Sequence, residues 1–233
     1  MKQINPNSFK IRCSAIGTIM TNPRNKSEEI SATTLSYCDQ WVKEQLYERE
    51  KEFTSKYTDK GISVEADAIQ VISQHKNLGL VFKNEEHFED EYFTGTPDLI
   101  LSDMVADVKA PYSCFTFPLL ATECPEKAYF GQLQGYMRLT GKKKAMLAYA
   151  MMDAPEFIIE KECRSKMYEL GLEEVSIDLY EEVKETMIYS HLPLNLRVKS
   201  FEFAYDETYI QEVIERVELC RKHIGIMIKS IQP

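Results

Sequence analysis

Two aspartates and a lysine, Asp98, Asp107 and Lys109, sit close together in the run Thr94-Gly95-Thr96-Pro97-Asp98-Leu99-Ile100-Leu101-Ser102-Asp103-Met104-Val105-Ala106-Asp107-Val108-Lys109-Ala110-Pro111. Apolar residues at 99–101 and 104–108 flank Ser102-Asp103, which predicts two short strands joined by a tight turn. Side chains alternate faces along a strand, so Asp107 and Lys109 point the same way. Asp98 opens the partner strand and can lie beside them across the hairpin. Two carboxylates and one ammonium then converge on one patch.

Such a patch suits metal-assisted hydrolysis of a phosphodiester. Mg²⁺ and Mn²⁺ prefer hard oxygen ligands, keep several waters and bind through one or two carboxylates plus substrate phosphate. A metal so held lowers the pKa of its water and stabilises charge developing on the phosphate. The lysine can orient the attacking water, help deprotonate it, or offset charge at phosphorus. The plain alternative is a surface Asp107–Lys109 ion pair, worth about 0–1 kcal/mol. A D-x-K triplet alone is common, and the preceding Pro-Asp with an apolar strand between makes it more specific.

Two further segments agree. In Lys60–Ile72, Ile62, Ala66, Ile69 and Ile72 fall at helical spacing, with Glu65 at the edge of that stripe, able to reach an ion or simply to sit at a helix boundary. Ala128–Leu139 reads as another amphipathic helix, on which Gln132 and Tyr136 are four apart and share a face. An amide beside the carboxylates can hold water or a phosphate oxygen without adding negative charge; it can equally satisfy backbone near a core.

Together these residues resemble the PD-(D/E)xK nuclease superfamily, and within it the phage lambda-type exonucleases, also called viral recombinase nucleases. The resemblance spans roughly residues 10–155 and includes the run Ile11–Arg24. It implies an α/β fold, a PD-(D/E)xK restriction-endonuclease-like core with a central mixed β-sheet flanked by helices. It implies a site with Asp98, Asp107, Glu65 and the backbone carbonyl of Val108 around Mg²⁺ or Mn²⁺, as two ions, and with Lys109 at the reacting phosphate. Gln132, Gln134 and Tyr136 would support them. The family's glutamine matches Gln134 best, whereas the superfamily's Q-x-x-x-Y spacing selects Gln132, and both stay open. Ser14, Thr96 and Arg24 match residues that hold a DNA 5′-phosphate. A further family arginine falls near Asn7 here, with Arg12 as a substitute. The implied activity is exonucleolytic digestion of double-stranded DNA ends, 5′→3′, in phage-type recombination, with a single-strand annealing protein as partner and a ring-shaped homotrimer as assembly. An endonuclease of structure-specific or restriction type on the same core, and an inactive DNA-end-binding module, are the alternatives. Retention of Asp98, Asp107 and Lys109 together argues against the inactive one.

Composition frames these expectations. The chain has 233 residues, 44% hydrophobic and 11% aromatic, enough for one globular nuclease domain. Its core is expected at about 60–155, with a DNA-end-binding segment at 8–55 and a helical and strand extension at 156–233. No apolar run reaches the ~20 residues of a membrane span, and the N-terminus lacks a signal-peptide core. A cytoplasmic protein of a bacterial cell, phage- or prophage-encoded, is expected. Six scattered cysteines form no C-x-x-C, which predicts free thiols and no iron–sulfur cluster. The four histidines are too dispersed for a zinc site. The net charge of −9 opposes DNA binding, but the acidic residues concentrate in 85–91 and 173–185, while Lys10, Arg12, Arg24 and Lys26 gather near the end-binding segment.

Periodicity predicts helices over 31–53, 60–76 and 124–140. Strands are predicted near 78–83, 88–93, 98–102, 104–109 and 144–151. A charged, mostly helical stretch follows at 162–190, then a strand in Asn195–Phe203 and a long amphipathic helix from Glu207 to Ile228. That helix is expected to cover the core, with a subunit contact as the alternative.

Overall fold

The computed structural model describes residues 4–51 and 56–231. After a 3₁₀ turn at Pro6–Ser8 come β1 (Ile11–Arg12), a second such turn at Cys13–Ala15, and α1 (Ile16–Ile19). Then follow α2 (Ala32–Tyr47), α3 (Lys56–Lys76), β2 (Phe88–Glu89), β3 (Phe93–Gly95), β4 (Leu99–Ile100) and β5 (Val105–Lys109). The chain continues through α4 (Lys127–Thr140), β6 (Lys144–Ala150), α5 (Glu156–Glu169), α6 (Ile177–Glu185), β7 (Val198–Ala204) and α7 (Glu207–Ile231).

The larger sheet has the order β4-β5-β6-β7; β5 and β6 run parallel and the other pairs antiparallel. Its two faces bury different side chains of β5, as the alternation of a strand requires. Ala106 and Val108 pack with Met146 and Ala148 against Val64, Ala68, Ile69 and Ile72 of α3. Val105, with Ala145, Leu147 and Tyr149, faces α4 and α7 through Leu133, Met137, Val213 and Val217. Asp107 shares that second face. A third apolar cluster joins α5 and α6 through Ile158, Cys163, Leu179 and Val183. The α/β class and the mixed sheet flanked by helices are therefore as expected.

Local signals explain most element ends. Ser31 caps α2 by accepting from the Thr34 N–H at 3.0 Å. Gly141, at φ 70°, closes α4. Ser102-Asp103 turns β4 into β5, with the Leu101 N–H donating to the Met104 carbonyl at 2.8 Å.

Several boundaries differ from expectation. The helix expected over 31–53 ends at Tyr47, where Glu48 turns left-handed at φ 53°, and 52–53 lie outside the described residues. No strand forms over 78–83. Gly79, at φ 79°, breaks the extended run, and α3 side chains take its backbone instead: Ser73 Oγ donates to the Gly79 carbonyl and Gln70 Nε2 to that of Val81. The expected strand 88–93 is a hairpin, because Asp90 Oδ1 accepts from both the Tyr92 and Phe93 N–H groups and makes a turn of 90–92. The 124–140 helix begins at Lys127, and the stretch 162–190 is two helices separated by a turn in which Gly171 has φ 68°. The stripe of α3 is rotated: Val64 and Ala68 face the sheet, whereas Ile62 and Ala66 are exposed. α7 buries Ile210, Val213, Val217, Ile224 and Ile228 in the main core.

Candidate active site

β5 presents Asp107 and Lys109 on one face, and the residue preceding β4, Asp98, folds back over the same strand. Asp98 Oδ2 accepts the Val108 N–H at 2.6 Å. Lys109 Nζ stands 2.6 Å from Asp107 Oδ2. That oxygen is buried without a well-directed hydrogen bond, so its only relief is the charge of the ammonium beside it. The other carboxylate oxygen, Oδ1, accepts from Gln132 Nε2 at 2.8 Å. The same amide nitrogen donates to Tyr136 Oη at 3.0 Å, which places the Q-x-x-x-Y face of α4 directly on Asp107.

Helix α4 comes this close because two of its glycines remove bulk. A Cβ on Gly131 or Gly135 would meet Ile16 side-chain atoms at 2.8 Å, so larger residues there would push the helix off the Cys13–Ile16 turn. With Gly131 and Gly135 against that turn, Gln132 points at β5 and Gln134 points away. Gln134 Nε2 donates to the Ala204 carbonyl at 2.8 Å, and its Oε1 accepts the Asp206 N–H at 2.8 Å. Gln134 thus joins α4 to the start of α7 and does not face Asp107, which corrects its placement at the site.

Glu65 lies on the rim of the same cleft. An open cavity of about 520 Å³ is lined by Glu65, Asp98, Val108, Lys109, Glu126, Tyr129 and Tyr149, with Ile62 on its outer wall. Glu65 Oε2 pairs with Lys83 Nζ at 2.5 Å. Lys83 comes from the irregular 77–87 segment, which is latched to the site: Asn84 Nδ2 donates to the Pro97 carbonyl and the Asn84 N–H to that of Asp98.

The electrostatics follow from burial. Loss of water, then the charge of Asp107, pushes the Asp98 carboxyl up to about 7 against the pull of the Val108 N–H and Lys109. Burial also raises the Asp107 carboxyl, opposed by Lys109. For Lys109, burial acts to lower its pKa but Asp107 and Asp98 outweigh it, so the group is raised and held as an ammonium. The Tyr129 ring lies 5.0 Å from that ammonium and adds a π face.

These groups fit a divalent ion that keeps water and takes substrate oxygen. Among the described residues no three His, Cys, Asp or Glu side chains form a closed cage. Asp107 Oδ2 nonetheless has no hydrogen-bond partner and only the Lys109 ammonium beside it, Tyr149 with its unpartnered Oη lines the cleft, and hard carboxylate oxygens are what Mg²⁺ and Mn²⁺ accept. Asp98 and Asp107 would hold the ion, while Glu65 lines the same cleft and pairs with Lys83.

The residues matched to a phosphate pocket are only partly assembled. β1 runs parallel to β3, pairing Arg12 with Thr94. Past β1 the chain enters the Cys13–Ala15 turn, where a Cβ on Gly95 would meet Cys13 Sγ at 3.0 Å and Ser14 is exposed. Arg12 Nε donates to Tyr37 Oη at 3.3 Å. Arg24 is exposed in the 21–30 loop, and no hydrogen bond or ion pair joins it to Ser14 or Thr96. The stem of that loop is fixed where Thr21 Oγ1 meets Ser31 Oγ at 2.5 Å.

Several residues at this site had no sequence signal strong enough to single them out. Tyr129 lies three before Gln132, so a helical wheel could have found it. Tyr149 enters only through the β5–β6 pairing that sets it beside Lys109. Lys83 ends the 78–83 segment, where the expected strand does not form, and His87 falls between the expected strands 78–83 and 88–93.

The fold is shared with solved exonucleases. A phage-related exonuclease from Haemophilus somnus 129PT superposes with TM-score 0.79 at 24% identity, covering 97% of each chain. An alkaline exonuclease from Laribacter hongkongensis gives 0.66 at 14% identity over 97% of this chain and 92% of that one. Its complex with dAMP gives 0.65 at 15% identity, over 95% and 91%. No family model and no curated protein sequence matches the chain.

Proposed function

We propose that the protein is a metal-dependent deoxyribonuclease that hydrolyses phosphodiester bonds from double-stranded DNA ends, with 5′→3′ polarity. The observation that carries this reading is the cluster in which Asp98 and Lys109 line an open cleft while Asp107, buried behind them, pairs with Lys109 and accepts from Gln132. It is supported by a fold shared with a phage-related and an alkaline exonuclease, the latter also solved with a nucleotide, dAMP.

Asp98, Asp107 and the Val108 carbonyl, with Glu65 at the rim, are the proposed ligands for two Mg²⁺ or Mn²⁺ ions. When bound, such ions supply an activated water and neutralise charge on the phosphate. The chain's own groups do the rest. Gln132 fixes the Asp107 carboxylate in one orientation, so the ligand need not be reorganised when substrate arrives. Lys109 places a permanent positive charge where the pentacovalent phosphorus gathers negative charge. Tyr136 holds the Gln132 amide, and Tyr129 holds the Lys109 ammonium over its ring. Ser14, Thr96, Arg12 and Arg24 are proposed to receive the terminal 5′-phosphate, which would make digestion start at ends.

A recombination role, an annealing partner, a homotrimer and a bacterial cytoplasmic setting accompany this proposal. Among the described residues no helix is long and apolar enough to cross a membrane.

Digestion of linear against covalently closed circular duplex, in Mg²⁺ and in EDTA, tests the proposal. Loss of linear DNA alone, and only with Mg²⁺, is expected. Nicking of circles at a comparable rate would point to an endonuclease on this core. Binding of ends without any cleavage would point to an inactive end-binding module.

A further inference from the structure

A row of hydroxyl and imidazole groups runs beside the proposed end pocket, and one member has no place in the reading above. The small sheet has the order β1-β3-β2, in which Thr94 pairs with Arg12 on one side and Glu89 on the other. Thr94 and Thr96 are two apart on one chain and so face the same way. His87, just before β2, spans them: its Nε2 lies 2.8 Å from Thr94 Oγ1 and its Nδ1 3.0 Å from Thr96 Oγ1. The ring is exposed, and no carboxylate among the described residues forms an ion pair with it.

The hydrogen-bond inventory of these groups decides what they can offer. A hydroxyl has one hydrogen to give and two lone pairs to accept with. If His87 Nδ1 accepts from Thr96, that hydrogen is consumed within the protein. If Nδ1–H donates to Thr96 Oγ1, the hydroxyl hydrogen is free to point outward at an acceptor. A phosphate monoester presents only acceptors to such a site, so its arrival selects the arrangement in which His87 donates. A 5′-hydroxyl end makes no such demand.

We propose that His87 is a specificity-determining positioning residue, which turns the Thr96 hydroxyl outward to a 5′-phosphate and thereby favours phosphorylated DNA ends over hydroxyl ends. This rests on the end-directed exonuclease reading. Among the described residues His87 makes no hydrogen bond or ion pair with Asp98, Asp107 or Glu65, so its effect belongs to end recognition and not to the hydrolytic step.

The test compares initial rates on matched linear duplexes bearing 5′-phosphate or 5′-hydroxyl ends, in saturating Mg²⁺, for wild type, His87→Ala and His87→Gln. Wild type should prefer phosphorylated ends. His87→Ala should lose about 10-fold of that preference, the worth of one charge-assisted hydrogen bond, through a higher KM on phosphorylated ends. Its rate on hydroxyl ends should hold within about 3-fold, on the order of one neutral hydrogen bond. His87→Gln, which keeps an N–H donor, should recover part of the preference. It also serves as the reporter if the alanine variant melts early. A wild type that digests linear DNA with no end preference would defeat the end-pocket reading and this inference with it. A clear wild-type preference that survives in His87→Ala would overturn the inference alone. Equal slowing on both ends would make His87 a brace of the β2–β3 hairpin and would likewise overturn it.

Discussion

Asp98→Asn should stabilise the metal-free protein, and should do so most at alkaline pH. The Asp98 carboxyl is raised from 3.8 to about 7 by burial and by Asp107. A raised carboxyl takes its proton earlier in the folded than in the unfolded chain. Its ionised form therefore costs stability in full above about pH 7. The cost shrinks as pH falls through the folded value and is gone below about pH 4, where both states are protonated. Roughly three pKa units at about 1.4 kcal/mol each set a ceiling of ~4 kcal/mol. Asparagine keeps an oxygen to accept the Val108 N–H but withdraws one partner from Lys109, so about 2 kcal/mol is the expected gain at pH 8.5. For a chain of this length that is a rise of ~4–8 °C in Tm. The assay is thermal unfolding in EDTA at pH 8.5 and pH 5, repeated with Mg²⁺. Wild type should be stabilised by Mg²⁺, whereas the variant should respond little and should lose metal-dependent cleavage. The reasoning fails if the variant is no more stable than wild type at pH 8.5, or if it gains equally at pH 5.

Lys109→Ala should slow cleavage on the order of 100-fold or more while DNA-end binding in Ca²⁺ persists, since its charge acts at the reacting phosphate; parallel loss of binding would make it a simple phosphate anchor. Gln132→Leu should lower the rate per folded molecule and also cost stability, because it leaves the buried Asp107 Oδ1 without its donor. Gln134→Leu should cost ~2–4 kcal/mol of stability by orphaning the Asp206 N–H and the Ala204 carbonyl, yet leave the rate per folded molecule intact. The rate per folded molecule, with melting measured alongside to fix the folded fraction, distinguishes the two glutamines; a loss of rate in Gln134→Leu but not in Gln132→Leu would refute the assignment. Lys60, fully buried with its ammonium 2.9 Å from the Tyr112 carbonyl, is lowered to about 8 by burial. Its charged form is costly below about pH 8, and that cost lifts as pH rises toward 10.5, so stability should gain about 2–3 kcal/mol across this window. Lys60→Met should flatten that rise in urea titrations; an unchanged slope would assign it to other groups.

The carboxylate and lysine pattern was legible because it is local. Asp98, the Ser102-Asp103 turn and Asp107-Val108-Lys109 span twelve residues, and strand alternation within that span fixes which side chains meet. Cysteine chemistry was legible for a similar reason, since scattered singletons offer no short-range pairing; all six are free thiols. The 78–83 segment failed because its apolar residues resemble a strand, whereas Gly79 and the α3 side chains give its backbone another set of partners.

Sequence by itself determined the α/β class, the helix carrying Glu65, the Asp98–Asp107–Lys109 patch and the presence of a glutamine helix. Each follows from periodicities of two or 3.6 residues and from turn chemistry, which act over a few positions. Tertiary structure alone decided which glutamine meets Asp107. Residues 131–137 of α4 are buried on every side, so no polar face marks the direction, and only the seating of Gly131 and Gly135 on Ile16 turns Gln132 towards β5. It also decided that Val64 and Ala68, not Ile62 and Ala66, face the sheet. It set Tyr149 beside Lys109 through a pairing forty residues apart, and brought Lys83 and His87 to the site from segments with no regular period. These placements depend on which surfaces dock across long stretches of chain, and docking is governed by shape and burial that no local spacing encodes.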